Sequence, residues 1–338
     1  MKKIILISLA FFVIGAGKTY GESSPLSDMY YIGELPGSDA IGRGGAFAGV
    51  MGSPFAPYWN PAGLAIVEDN KMGVSANLFS DSKLEAKVIK KLYALQDRKL
   101  NFISVAAPQV GVYWRMLSDR VDESTGTENS YNYKETIDEN IHQFGVSVSV
   151  SHTEDIYFGM NINYLSGMLG YSKIKGSTPT VVISPGAGWG LDWGLVFDVS
   201  DRMNIGVTVL NAPGYMYWDK YSQDRLPLIF RSGVDLKMND LMSFGIDYET
   251  GVYDDSVDAE DILHLGIEHY INKNFLIRGG MFGDDLGNEY RTVYTAGVGY
   301  KKEGYSVDAA AIQYYTQGTT EEEREPVRRF SISGVIPF

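Results

Sequence analysis

The stretch Arg328-Arg329-Phe330-Ser331-Ile332-Ser333-Gly334-Val335-Ile336-Pro337-Phe338 decides the fold. In an extended strand, side chains alternate between two faces. Phe330, Ile332, Ile336 and Phe338 therefore fall on one side, with Gly334 between them, and Arg329, Ser331 and Ser333 on the other. A strand with one side in lipid and one in a polar lumen needs this alternation, and an aromatic ring where it meets the membrane interface.

The same period of two recurs along most of the chain after residue 71. Phe144, Val146, Val148 and Val150 alternate with Gly145, Ser147, Ser149 and Ser151. Phe158, Met160, Ile162 and Tyr164 alternate with Gly159, Asn161 and Asn163, and Leu191, Trp193, Leu195 and Phe197 with Gly190, Asp192, Gly194 and Asp198. The second member of each set is small and hydrated, which suits a polar lumen; the interior of a soluble β-sandwich would be apolar. Strands are expected at 71–80, 98–107, 109–118, 141–152, 155–166, 188–199, 202–211, 226–237, 241–250, 262–271, 274–283, 292–302, 304–315 and 328–338. These number about fourteen, an even count as bacterial barrels require. Tight turns at Glu154-Asp155, Ser200-Asp201, Met238-Asn239-Asp240, Asn272-Lys273-Asn274 and Lys302-Glu303-Gly304 alternate with long polar segments at 119–140, 167–186, 212–225, 251–261, 284–291 and 316–327. Short turns on one rim and long loops on the other are the pattern of an outer-membrane barrel, with the short rim and both termini periplasmic. Residues 83–96 carry Leu84, Val88, Leu92 and Leu95 at helical spacing, which predicts a short amphipathic helix in the first outer loop.

Bulk properties agree. Lys2-Lys3 followed by an apolar run from Ile4 to Ile14 and small residues reads as a secretory signal peptide, 1–21. No run reaches the ~20 apolar residues of a transmembrane helix. The chain has no cysteine, which excludes disulfides, Cys-ligated metals and the lipidated cysteine of a lipoprotein. Net charge is −13, and removing residues 1–21 takes away three lysines and no acid. Nucleic acid and anionic membrane surfaces are unsuited as partners to so acidic a chain.

Residues 22–70 do not alternate. Gly42-Arg43-Gly44-Gly45-Ala46-Phe47-Ala48-Gly49 is compact and glycine-dense, and Pro54, Pro57 and Pro61 break any long helix. Tyr58-Trp59-Asn60-Pro61-Ala62-Gly63-Leu64 follows. A barrel of about fourteen strands is wide enough to leave an aqueous lumen unless something fills it, and irregular backbone is tolerated at membrane depth only inside protein or beside water. Residues 22–70 are thus expected as a plug inside the barrel of 71–338.

The glycine-rich run and the Asn60-Pro61-Ala62-Gly63-Leu64 motif resemble the N-terminal plug of FadL-type outer-membrane proteins and of the related PorV/PorQ family. The closing phenylalanine, Phe338, resembles the barrel-assembly signal of bacterial outer-membrane proteins, which implies the barrel-assembly machinery as a partner. Leu265-Gly266-Ile267-Glu268-His269-Tyr270, Arg278-Gly279-Gly280 and Ser306-Val307-Asp308-Ala309-Ala310 look like the PorV branch. The resemblance implies an outer-membrane barrel, embedded in lipid, that passes small hydrophobic or amphipathic molecules. The alternative it implies is a PorV-like component of a type IX-like protein secretion system that handles secreted cargo. Plug and gating residues would be Gly42, Arg43, Gly44, Gly45, Phe47, Tyr58, Trp59, Asn60, Pro61, Ala62, Gly63 and Leu64.

Alternation places Asn161, Asp192, Arg231, Asp235, Asp247, Glu249, Glu268, Arg278 and Asp308 on the lumen side. Arg or Lys on the lipid face would cost roughly 2–4 kcal/mol at midplane. Pairing across the lumen and support of the plug are the expected roles. His264 and Glu268 share a face without a third close partner, no G-x-S-x-G nucleophile motif occurs, and the acidic loops lack EF-hand spacing. No enzyme activity, cofactor or metal is expected.

Overall fold

In the computed structural model, residues 35–80, 99–128, 131–175, 178–252, 260–315 and 326–338 are described. The signal peptide, the helix expected at 83–96, and the acidic runs 254–258 and 321–325 lie outside them. Sixteen strands follow in chain order: β1 Lys71–Ser80, β2 Lys99–Ala107, β3 Val110–Glu128, β4 Tyr131–Thr153, β5 Ile156–Lys175, β6 Thr178–Ser200, β7 Met203–Leu210, β8 Gly214–Trp218, β9 Asp224–Arg225, β10 Leu228–Asn239, β11 Met242–Val252, β12 Glu260–Tyr270, β13 Phe275–Gly283, β14 Thr292–Lys302, β15 Tyr305–Tyr315 and β16 Pro326–Pro337. Fourteen of them form a closed antiparallel barrel, with β8 and β9 appended beside the outer part of β6. β1 closes the ring on β16, Lys71 opposite Pro337. Closure removes the unpaired edge that lipid cannot satisfy.

The barrel is polar inside and apolar outside. Val146, Val148, Ile162, Ile246, Ile267, Ile277, Val298 and Ile332 are exposed on its outer face. Their strand neighbours Ser147, Ser149, Asn161, Asp247, Arg278 and Ser331 are buried. Trp114, Phe144, Tyr164, Trp189 and Tyr215 are successive directly opposed residues across β3, β4, β5, β6 and β8. This row forms one aromatic belt of the kind that marks a membrane interface. At the belt the outer wall is hollowed over about 740 Å³, lined by Trp114, Phe144, Tyr164 and Trp189 together with residues such as Val112, Val146 and Ile162. Near the opposite rim, Phe275 and Tyr300 pack with ring centroids 4.9 Å apart.

Tight turns gather on one rim. In the turn between β14 and β15, Glu303 (φ 53°) and Gly304 (φ 85°) both adopt the left-handed region that a two-residue type I′ hairpin requires. The chain end joins that rim, where the Phe338 N–H donates to the Asn70 carbonyl at 3.1 Å.

The long segments differ from the sequence reading. Residues 119–128, 131–140, 167–175 and 178–186 are not loops but continuations of β3, β4, β5 and β6, paired in unbroken register apart from a bulge near Met116–Ser118. Their polar composition suggested loops, yet Thr125, Thr136, Ile137, Tyr171, Thr180, Val181 and Ile183 are strand formers that pair well across a ladder. These strands run 19, 23, 20 and 23 residues. A spanning strand needs about 9–11. One side of the barrel therefore stands tall beyond the membrane, while β10–β16 do not. Within 212–225, β8 and β9 form a short hairpin whose Met216 and Trp218, with Leu226, pack against Ile141, Leu165 and Leu169. This buried apolar cluster fixes the hairpin to the tall wall.

Candidate functional site

Residues 35–67 cross the inside of the barrel. They contain two short helices, α1 Ser38–Gly42 and α2 Ala56–Trp59, and a 3-10 turn Pro61–Ile66. Pro57 is the second residue of α2, in the first turn where a missing N–H costs nothing. Asn60 caps the 3-10 turn: its Oδ1 accepts from Ala62 N–H at 3.1 Å. Its Nδ2 donates to the Ala48 carbonyl at 2.8 Å and to the Leu195 carbonyl on β6 at 3.0 Å. One asparagine thus joins both halves of the segment to the wall. Other contacts reach β1, β2, β5, β7, β11, β12, β14 and β16, through Ser75, Asn101, Asn161, Thr208, Asp247, His264, Thr295 and Ser333. A segment that touches strands all around a closed ring can only lie inside it.

A belt of wall glycines receives its backbone. A Cβ on Gly206 would stand 1.9 Å from the Ala48 carbonyl oxygen, and one on Gly266 2.2 Å from that of Arg43. At Gly159, Gly194 and Gly280 the distances to Ala62 N, Asn60 Oδ1 and Gly44 N are 2.2, 2.2 and 2.3 Å. No side chain fits at these positions while the segment is in place. The alternating glycines of the sequence are therefore a groove for a second piece of chain as well as small lumen residues.

The first half of the segment is held by charge. Arg43 forms an ion pair with Asp235. The backbone N–H groups of Phe47 and Ala48 both donate to Asp247 Oδ2 at 2.7 Å. His264 Nδ1 lies 2.7 Å from the Gly44 carbonyl, and its ring stacks on Phe282 at 5.1 Å. Behind Trp59, the fully buried Arg231 pairs with Glu249, Nε to Oε2 at 2.6 Å, and sits 4.9 Å over the indole ring. Arg278 bridges Glu268 at 2.7 Å and Asp308 at 2.6 Å. Desolvation between α1 and the wall, reinforced by Asp308, pushes the Asp39 carboxyl on the inner segment up to about 6, against the pull of Arg278 and Lys301.

The second half is held mainly by neutral groups, apart from the cations Arg231 at Trp59 and Arg115 at Tyr58. Ser104 Oγ donates to the Pro54 carbonyl at 2.6 Å, Asn161 Nδ2 to Pro57 at 2.6 Å, and Thr208 Oγ1 to Trp59 at 3.1 Å. Phe55 and Phe102 pack at 5.7 Å, and Tyr58 meets Trp59 edge-on at 4.8 Å. Asp192 accepts from Asn161 and Asn163 at 2.9 and 2.7 Å.

Of the residues singled out in the sequence, the structure thus brings Arg43 to Asp235, Phe47 to Asp247, Trp59 to Arg231, and Asn60 and Ala62 to one another. Pro61, Gly63 and Leu64 are buried in the 3-10 turn, with the Gly63 carbonyl accepting from Gly52 N–H at 2.8 Å. Asn161, Asp192, Arg231, Asp235, Asp247, Glu268, Arg278 and Asp308 all turn inward, against the segment or one another. Sequence reasoning missed Ser38, whose Oγ lies 2.7 Å from Ser331 Oγ, and the role of Tyr113, whose hydroxyl donates to Asn163 Oδ1 at 2.6 Å. It also missed a cavity of about 510 Å³ between residues 50–54 and the short-turn rim, lined by Lys71, Lys273, Lys301 and Lys302. Among the described residues, no three metal-ligating side chains come together.

No family model matches the chain and no curated protein matches it in sequence. Solved structures do match in shape. The toluene transporter TbuX of Ralstonia pickettii is 13% identical at a TM-score of 0.62, covering 91% of this chain and 99% of its own. The monoaromatic hydrocarbon channel CymD is 12% identical at 0.64, covering 91% and 99%. A FadL homologue of Pseudomonas aeruginosa is 11% identical at 0.59, covering 90% and 98%. These similar structures are channels and transporters, and not enzymes. The chain has the barrel fold of FadL-type channels over nearly all its length.

Proposed function

We propose that this protein is an outer-membrane channel through which small hydrophobic or amphipathic molecules pass passively, gated by residues 35–67 acting as a plug. The observation that carries this reading is a closed barrel, apolar outside, whose interior is crossed by a segment anchored on nearly every strand. The TbuX and CymD structures, a toluene transporter and a monoaromatic hydrocarbon channel, share the barrel at full coverage and supply the solute class. Gly42, Arg43, Gly44 and Gly45 with Phe47 form the charged end of the plug, and Tyr58 to Leu64 its aromatic and turn end. Passage requires the plug to shift, because its backbone is seated on the glycine belt and its contacts reach strands around the ring. The short-turn rim is periplasmic, and the protein performs no chemistry on its solute.

The test is toluene flux into liposomes. Wild-type protein is expected to accelerate it over empty vesicles, and a chain lacking residues 40–65 to accelerate it further. Equal permeability for wild type, deletion and empty vesicles would end the channel reading. The PorV-like secretion role rests on the sequence resemblance alone, and no observation of the structure favours it.

A further inference from the structure

The tall wall ends in two edges. Among the described residues, β3 beyond Arg115 pairs with β4 but not β2, and β6 from Thr178 to Pro185 pairs with β5 but not β7 or β8. The β3 edge reads Asp119-Arg120-Val121-Asp122-Glu123, and charge is an ordinary protection of an exposed edge. The β6 edge, Pro179-Thr180-Val181-Val182-Ile183-Ser184-Pro185, carries none. Its hydrogen-bonding direction follows from parity, because successive residues of a strand turn their N–H and C=O groups to opposite neighbours. The Pro185 carbonyl accepts from Asp219 N–H at 3.0 Å, and Leu191 exchanges both its groups with Ala212 and Pro213 at 2.7 and 2.9 Å. Odd-numbered residues of β6 thus face away from β5, and the pairing with β5 runs on without a shift. Val181 and Ile183 therefore each turn one donor and one acceptor to the open side. Pro179 and Pro185 bracket them without an N–H and set the length of the edge, about five residues or ~17 Å.

Val181 and Ile183 are 64% and 58% exposed on the outer face. They lie further along β6 than Trp189 of the aromatic belt, about 15–20 Å past it on a tilted strand and out of reach of lipid chains. Bare β-branched side chains beside unmet backbone groups are a template on which an extended peptide adds as a strand. The lower part of the same edge shows what fits. There β8, an antiparallel strand of five residues, pairs with Gly186 to Gly190 on the same parity. It leaves the edge after Asp219, where Lys220 N–H turns to Ser184 Oγ at 2.9 Å. A second copy of this chain does not fit. Two copies in one bilayer share an outward direction, so their β6 edges could meet only in parallel. A parallel ladder needs a one-residue stagger, which a rotation about the membrane normal does not supply.

We infer, taking from the channel reading only which face is extracellular, that the β6 edge from Pro179 to Pro185 docks an extended segment of a partner protein outside the cell. The segment runs antiparallel to β6 and carries β-branched apolar side chains at two positions, opposite Val181 and Ile183. Its backbone takes the two free N–H and two free C=O groups, and its apolar pair covers the exposed one across the ladder. The residue between them, opposite Val182, turns to the inner face.

The test is a fluorescence-anisotropy titration of the purified full chain in detergent with a labelled peptide, Lys-Thr-Val-Thr-Val-Thr-Lys, capped at both ends. Saturable binding is expected. The same peptide N-methylated at both valines keeps its side chains but loses the donors that face β6, and is expected to bind at least tenfold more weakly; this control needs no variant, so folding does not enter. Val181→Pro removes an edge N–H and no bond of the β5 ladder, and should weaken the plain peptide by about tenfold. Val181→Thr keeps the N–H and should lose less. The chain has no cysteine, so register can be read by disulfide formation with Val181→Cys. A peptide with cysteine in place of a valine is expected to cross-link, and one with cysteine in place of the central threonine is not. A plain peptide that does not bind, that binds no better than its methylated form, or that cross-links equally from both positions would overturn the edge site. Toluene flux is read separately: protein that binds the peptide as described but passes no toluene would remove the channel and keep the edge.

Discussion

The two halves of the barrel wall hold the same inner segment by different means. Strands β10–β16 grip residues 38–49 through Asp235, Asp247 and His264, with the Arg231–Glu249 pair reaching on to Trp59. Strands β1–β7 hold residues 54–66 through Ser104, Asn161 and Thr208, with aromatic packing around Phe102. The difference sets the energetic scale of each anchor. Removing one partner of a buried ion pair strands the other charge, whereas removing a neutral hydrogen bond loses only its modest net worth. The charged half is therefore expected to act as the fixed end of the inner segment and the neutral half as the end that yields first.

The sharpest way to break this contrast is at Arg231. Arg231→Ala removes the guanidinium against which Glu249 is buried behind Trp59 and is expected to cost about 3–5 kcal/mol, read as a lowered denaturant midpoint in lipid vesicles. A midpoint within error of wild type would remove buried charge as the stronger kind of anchor. Asp247→Asn keeps the shape but weakens two charge-assisted bonds to the backbone, an expected loss of about 1–3 kcal/mol. Hydrogen exchange at the Phe47 and Ala48 amides should rise, and unchanged protection would contradict the assignment. On the neutral side, Asn161→Ala is expected to cost about 0.5–1.5 kcal/mol and to loosen residues 54–60 before residues 43–48. Asp284→Ala, which breaks the exposed pair with Arg291, should change neither stability nor protection.

The barrel was legible in the sequence because lipid demands strict alternation, and the run from Phe330 to Phe338 states that demand directly. The turn positions followed from Asn-Lys-Asn and Glu-Gly pairs. The extent of β3–β6 did not follow, since outside the membrane no apolar face is enforced and Thr125 or Thr136 in a ladder looks like Thr in a loop. The inward direction of Asp247 and Arg231 could be read from parity, but their partners could not. Phe47 N–H and Asp247 are separated by 200 residues, and only the closed ring brings them together. The wall glycines carried a signal of their own, since Gly159, Gly194, Gly206, Gly266 and Gly280 all fall on lumen positions. Reading them as a groove required knowing that backbone passes over them.

Ser38 and Ser331 offer the most direct test of whether passage requires even the more firmly held end of the inner segment to leave the wall. Their Oγ atoms lie 2.7 Å apart, and the chain has no cysteine of its own, so Ser38→Cys/Ser331→Cys can form a single disulfide between α1 and β16. Toluene flux into liposomes is predicted to fall to the empty-vesicle rate when this pair is oxidised and to return on reduction. Equal flux in the oxidised and reduced forms would contradict gating by the inner segment.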